Sequence, residues 1–180
     1  ANDIAWNDGD GISLPDAGPQ NFISENSMHD NGGLGIDLGG NGTNANDNDA
    51  IVPAGSPNRL LNFPIIASAG GNAHAGTIRG YLQSTNGHYT LEFYADDTAD
   101  PSLHGEGRTY LGSGELDITN APAGQNGSNA FAIAIGSDAG LLGKSISAIG
   151  RDAVGNTSEF SLRSVYAFED AIFANGFDPF

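Results

Sequence analysis

Gly11-Ile12-Ser13-Leu14 and Gly35-Ile36-Asp37-Leu38 carry one four-residue pattern, repeated at a spacing of 24. A second pair, Asn2-Asp3-Ile4-Ala5-Trp6-Asn7 and Asn21-Phe22-Ile23-Ser24-Glu25-Asn26, aligns at a spacing of 19, which places a five-residue insertion between the two copies. Two imperfect copies of roughly 20 residues, each with short apolar strands, imply successive coils of a parallel β-helix. In such coils an inward aliphatic side chain stacks on its equivalent one turn away. The expected stacks are Ile4 on Ile23, Ile12 on Ile36 and Leu14 on Leu38. Asn side chains would bond backbone groups at the corners.

Composition alone points the other way for this segment. Asn, Asp and Gly fill 26 of the first 50 positions, the signature of a chain too poor in apolar residues to fold. The internal register argues for coils over disorder. Residues 1–58 also hold nine acids and no Lys or Arg, within a chain of 180 residues and net charge −16. So negative a body repels phosphate backbones and anionic lipid, so neither nucleic acid nor a membrane surface is an expected partner. With no Cys, disulfide scaffolds, thiolate metal sites and cysteine nucleophiles are excluded. No apolar run is long enough to span a bilayer, so membrane insertion is not expected. The sequence opens on Ala1 without the basic start and apolar run of an export leader, and it reads as a processed form or an excised piece.

Beyond the repeats, residues 39–58 form a long polar loop, and the remainder reads as all-β. Strands are predicted over Phe63–Ala69, Gly76–Gln83, Tyr89–Asp96, Thr109–Ile118, Ala130–Ile135, Ser145–Asp152 and Thr157–Tyr166. Asn86-Gly87 is a hairpin turn signal between the second and third of these. Seven short strands punctuated by Gly, Pro and Asn suggest an immunoglobulin-like (Ig-like) sandwich. The expected organisation is coils and acidic loop over 1–58, sandwich over 59–166, and a Phe-rich tail over 167–180, with one helical turn conceivable at Phe168–Ala174.

Several stretches in this order resemble a known bacterial architecture. They are Asn31-Gly32-Gly33-Leu34-Gly35-Ile36-Asp37-Leu38-Gly39, Leu61-Asn62-Phe63-Pro64-Ile65, Leu91-Glu92-Phe93-Tyr94-Ala95, Gly105-Glu106-Gly107-Arg108-Thr109-Tyr110-Leu111-Gly112 and Asp152-Ala153-Val154-Gly155-Asn156-Thr157-Ser158-Glu159-Phe160. Together they look like the last coils of a right-handed, pectin-lyase-like β-helix running into an Ig-like sandwich, as in large secreted or surface proteins. The closing Ile172-Phe173-Ala174-Asn175-Gly176-Phe177 is similar to short C-terminal tails of exported Gram-negative proteins. Lyase relatives combine calcium-binding carboxylates with a Lys or Arg base on one β-helix face. The coil segment here has no such base, so the resemblance implies architecture and export rather than lyase chemistry.

Two acidic groupings are candidate calcium ligands. Asp37, Asp47 and Asp49 bracket a loop rich in Asn, and calcium takes six to eight oxygens in irregular geometry. Asp96, Asp97, Asp100 and Glu106 crowd a second stretch without a Lys or Arg, where mutual repulsion favours a cation or protonation. The alternative for both is a solvated acidic loop. A third set, Asp152, Asn156 and Glu159, lies in a turn between strands, where Asn156 reads as support for the hairpin rather than as a metal ligand. No nucleophile elbow and no H-E-x-x-H motif occurs, and His29, His74, His88 and His104 are scattered and read as surface or turn residues. The sequence therefore predicts a non-catalytic, extracellular structural or adhesive module, calcium-stabilised, with head-to-tail self-association into filaments as one partner expectation. A carbohydrate-binding accessory domain, contacting an extracellular glycan through exposed aromatics, is the alternative.

Overall fold

The computed structural model describes residues 1–72, 75–136 and 139–168. All regular structure in these residues is β apart from short turns. The segment expected to form coils, called the coil segment below, contributes four three-residue strands: β1 (Asp3–Ala5), β2 (Ile12–Leu14), β3 (Ser27–His29) and β4 (Ile36–Leu38). β1 pairs with β3 and β2 with β4, both in parallel. Ile12 lies opposite Ile36 and Leu14 opposite Leu38, as the repeat predicts. Ile4, however, lies opposite Met28 rather than Ile23. Both pairs therefore keep a single offset of 24, and no insertion separates the copies. The matching stretch is Asn26-Ser27-Met28-His29-Asp30-Asn31, in which an unbranched Met fills the column that Ile4 begins.

The remaining strands are β5 (Ile65–Gly71), β6 (Gly76–Ser84), β7 (Gly87–Asp96), β8 (Thr109–Ile118), β9 (Gly127–Ile135), β10 (Ser145–Asp152), β11 (Ser164–Val165) and β12 (Ala167–Phe168). They form two four-stranded sheets, ordered β11-β10-β7-β8 and β12-β5-β6-β9. Asn86-Gly87 does not close a hairpin: β6 and β7 belong to different sheets, and the short turn carries the chain from one sheet to the other. The cause is visible in the side chains on either side of it. Leu82 and Tyr89 are both buried in the core between the sheets, so the two strands face each other rather than lie edge to edge. Of the strand expected over Thr157–Tyr166, only Ser164–Val165 pairs as a ladder. The expected helical turn at Phe168–Ala174 and the expected tail over 167–180 both fall mostly outside the described residues. Within both spans Phe168 is a β12 residue.

The inner faces of the two sheets bury Ile78, Leu82, Phe131 and Ile135 against Leu91, Phe93, Leu116, Ile118, Ile146 and Ala148. Period-two alternation sends the intervening residues of β7 and β10 to the opposite face. Those residues are Glu92, Tyr94 and Asp96 on β7, and Ser147, Ile149 and Arg151 on β10. Alternation of this kind reads as core inside and water outside, yet most of these residues are buried. The coil segment covers Tyr94 and Ile149, and the loop from Gly105 to Arg108 lies over Ser147 and Asp96. A second apolar cluster joins coil residues Ile23, Met28, Ile36 and Leu38 to Tyr94, Ile149 and Phe160. The molecule thus stacks a coil layer on one sheet and that sheet on the other.

Candidate functional site: a sealed coil edge and an open one

Each parallel strand pair has two edges, and an unpaired edge presents backbone N–H and C=O groups that must find partners. On the β3 and β4 side, the sandwich provides them. Met28 N donates to Gly107 O at 3.2 Å, and Ser27 Oγ donates to Arg108 O at 2.7 Å. Side chains meet further backbone groups of the segment. Leu38 N donates to Glu159 Oε1 at 2.9 Å and Asn44 N to Glu159 Oε2 at 2.9 Å. Asn31 N donates to Glu106 Oε1 at 3.0 Å. Glu25 N reaches Glu92 Oε2 and the Tyr94 hydroxyl, both at 3.1 Å, while Ser24 Oγ donates to Glu92 Oε1 at 2.5 Å. Ile23 N donates to Thr157 Oγ1 at 3.0 Å, and Gln20 N to Asn156 Oδ1 at 2.7 Å.

A carboxylate suits this role because it is an acceptor with two oxygens, and charge-assisted bonds to N–H groups are stronger than neutral ones. The segment Asn156-Thr157-Ser158-Glu159-Phe160-Ser161 runs fully buried along the seam. It is held to β10 by Ser158 N to Gly150 O at 2.9 Å and Ser161 N to Ala148 O at 2.8 Å. Asp152 shapes the preceding turn by accepting from Val154 N, Asn156 N and Asn156 Nδ2. Asn58, wholly buried, bonds Asn21 O and Thr157 O through Nδ2 and accepts from Asn21 N. It begins a run of three left-handed residues, Asn58, Arg59 and Leu60, with φ of 43°, 55° and 46°. That backbone is costly outside Gly, and the Asn58 bonds hold it in place.

The predicted calcium ligands fall into different surroundings. Asp37 is buried and accepts from the backbone N–H of Gly40, Asn41 and Gly42, folding the loop that follows it. Asp47 and Asp49 form successive short turns by accepting from Asp49 N and Ile51 N. They line a cavity of about 110 Å³ that does not include Asp37.

The second grouping does come together. Asp96, Asp97, Asp100 and Glu106 line one cavity of about 140 Å³ with His29, Asp30 and Arg108. Basic side chains offset this charge: Arg108, in the lining, pairs with Asp30, and Lys144 Nζ, from outside the lining, pairs with Asp97 Oδ1 at 2.7 Å. Lys144 accordingly holds the Asp97 carboxyl below its ordinary range. Asp100 accepts from Ser102 N in a turn. Asp96 Oδ1 accepts from Gly107 N at 3.0 Å and Arg108 N at 2.8 Å, whereas Oδ2 is buried without a partner. Burial, the largest cause, pushes its pKa up to about 6. Glu159 is shifted upward for the same reason. Among the described residues, no three His, Asp or Glu side chains are placed to hold a metal ion.

Two features here lay beyond the sequence reading. His104 is buried in the seam, with Nδ1 at 2.7 Å from Phe160 O and its ring edge-on to Phe63, and is not a surface residue. Glu92, on the outer face of β7, is buried as well, and no sequence motif marked it. The Glu159 carboxylate was visible, but the amides it accepts from, those of Leu38 and Asn44, lie over 100 residues away in the chain. Among the described residues, no helix is long and apolar enough to cross a membrane.

The opposite coil edge is different. β1 and β2 each pair on one side only. Ile4, Ile12 and Leu14 are half-buried there, against nearly complete burial of Met28, Ile36 and Leu38. No model of a known protein family matches this chain.

Proposed function

We propose that this chain is a non-catalytic structural or adhesive module of a secreted or surface-exposed bacterial protein, combining the end of a right-handed parallel β-helix with an Ig-like sandwich. The observation that carries this reading is the seam. The buried carboxylates Glu92, Glu106 and Glu159 are engaged by N–H and O–H donors of the coil segment, which supports a load-transmitting joint over a hydrolytic site. Immunogold electron microscopy of the producing cells tests the reading. Label on surface structures or secreted material is expected, and label confined to the cytoplasm contradicts it.

Calcium remains part of this proposal at one place, the cavity around Asp96, where a buried carboxylate oxygen has no donor. Carbohydrate binding is the second reading, favoured by two aromatics on the coil layer. Trp6 is 77% exposed, and Phe22 is 63% exposed beneath the Arg151 guanidinium, 4.4 Å from its ring centroid. Retention on a glycan array that is lost in Phe22→Ala would support it; no retention would reject it.

A further inference from the structure

We propose that the free edge of β1 and β2 is the docking face for one more parallel coil of the same 24-residue type, laid down in register with the ladders already present. This rests on the coil-end reading given above. It names the chemistry of the partner: a segment of the form Asn-x-Ile/Met-x-x-Asn-x-Gly-x-Gly-Ile-x-Leu, the pattern shared by residues 2–14 and 26–38.

Three observations carry it. The first is side-chain laddering. Asn26 Oδ1 accepts from Asn2 N at 3.0 Å and Asn2 Nδ2 at 2.9 Å, and Asn31 Oδ1 accepts from Asn7 N at 3.3 Å and Asn7 Nδ2 at 2.7 Å. Each Asn of the second coil thus receives an Asn one coil earlier. Asn2 and Asn7 are exposed, and their own Oδ1 atoms accept nothing among the described residues.

The second is a glycine without a local cause. A Cβ on Gly33 would lie 2.2 Å from Asp10 Oδ1, because the Asp10 carboxylate reaches down to accept from Leu34 N. Gly9 is the equivalent of Gly33 one coil earlier. A Cβ there would meet nothing within 4 Å, and its φ is not left-handed. A coil ahead of it, with its own Asp at the matched position, explains why Gly9 carries no side chain.

The third is the unfinished apolar column. Ile4, Ile12 and Leu14 are covered on one side only, at the end of a ladder that continues cleanly to Met28, Ile36 and Leu38. A second copy of this chain does not supply a parallel coil, since its β3–β4 edge is occupied by its own sandwich. Two copies meeting at their open edges would pair strands antiparallel and break the Asn ladders. One corner departs from the pattern. Asp8 stands where the second coil has Gly32, whose Cβ would fall 2.3 Å from Asp8 O. The docking coil must swing outward there.

The test is the full chain with a copy of residues 1–24 joined ahead of Ala1, compared with the chain as it is. The proposal expects the amides of residues 2–14 that do not bond the second coil to exchange on the order of tenfold more slowly in the extended chain. Its melting temperature should rise by about 5 °C or more. Gly9→Ala should leave the original chain unchanged but lower the melting temperature of the extended one, while Asp8→Gly should slow exchange in the extended chain further. Unchanged exchange at residues 2–14, with the added coil itself unprotected, overturns the proposal. So does a dimer of the original chain in light scattering with those amides already protected, which would make a second copy the occupant. Neither result bears on where the protein is found in the cell, so failure here is distinct from failure of the structural-module reading.

Discussion

At the scale of single residues, burial makes two acids, Asp96 and Glu159, costly to ionise. Asp96 is the sharpest case. Its folded pKa of about 6 lies above the ordinary aspartate value of 3.8. The folded state therefore binds this proton more tightly than the unfolded chain. Its contribution favours folding below pH 4 and is lost as pH rises toward 6, a swing on the order of 3 kcal/mol. Asp96→Asn keeps an acceptor for Gly107 N and Arg108 N and removes the buried charge. In EDTA, the variant should melt higher than the parent at pH 7.5 and lose the fall in stability between pH 4 and 6. If a calcium ion sits on Oδ2, the parent should instead lose melting temperature on addition of EDTA, and the variant should not. Asn58 fails differently. Asn58→Ala orphans Asn21 N and puts a poorer residue at φ 43°, so urea unfolding should show a loss of roughly 2–4 kcal/mol.

At the scale of the elements, the coil strands were legible because period and chemistry coincided. Gly-Ile-x-Leu recurs once, and a three-residue strand with Gly in front has few other registers. The Asn-x-x-x-x-Asn frame was ambiguous, since Asn21 to Asn26 and Asn26 to Asn31 both satisfy it. Ile23 resembled Ile4 more than Met28 did, so similarity of residue type selected the wrong copy. Three-dimensional register chose the other because both ladders must share one coil length. The Asn86-Gly87 turn misled for a related reason: a tight turn specifies reversal, not whether the strands pair or face one another. Glycine positions then follow from the coil spacing. Gly32→Ala forces a methyl against the Asp8 carbonyl, and it should destabilise by about 1–3 kcal/mol in urea melts. An alanine at Gly18, by contrast, meets open space but sits at φ 67°, so it tests backbone strain alone.

At the scale of the whole molecule, the acidic first third is neither a solubility tail nor an independent unit in its packing. Its apolar residues share a cluster with Tyr94, Ile149 and Phe160, and its backbone bonds end on sandwich side chains. Composition could not reveal this, because the outer face of β7 and β10 reads as solvent-facing until something is known to cover it. Unfolding should therefore be one cooperative event. Trp6 fluorescence, which reports the coils, and near-ultraviolet dichroism of the sandwich tyrosines should give coincident transitions in urea. Separated midpoints would mean that the seam contributes little. The most direct test of the account is native-state hydrogen exchange at Ile23, Glu25, Asn31 and Leu38, whose amides donate to sandwich side chains. Protection within about tenfold of the slowest β7 and β10 amides is predicted, with Glu159→Ala releasing Leu38 and Asn44 selectively. Exchange of these four amides at loop-like rates in the parent chain would contradict it.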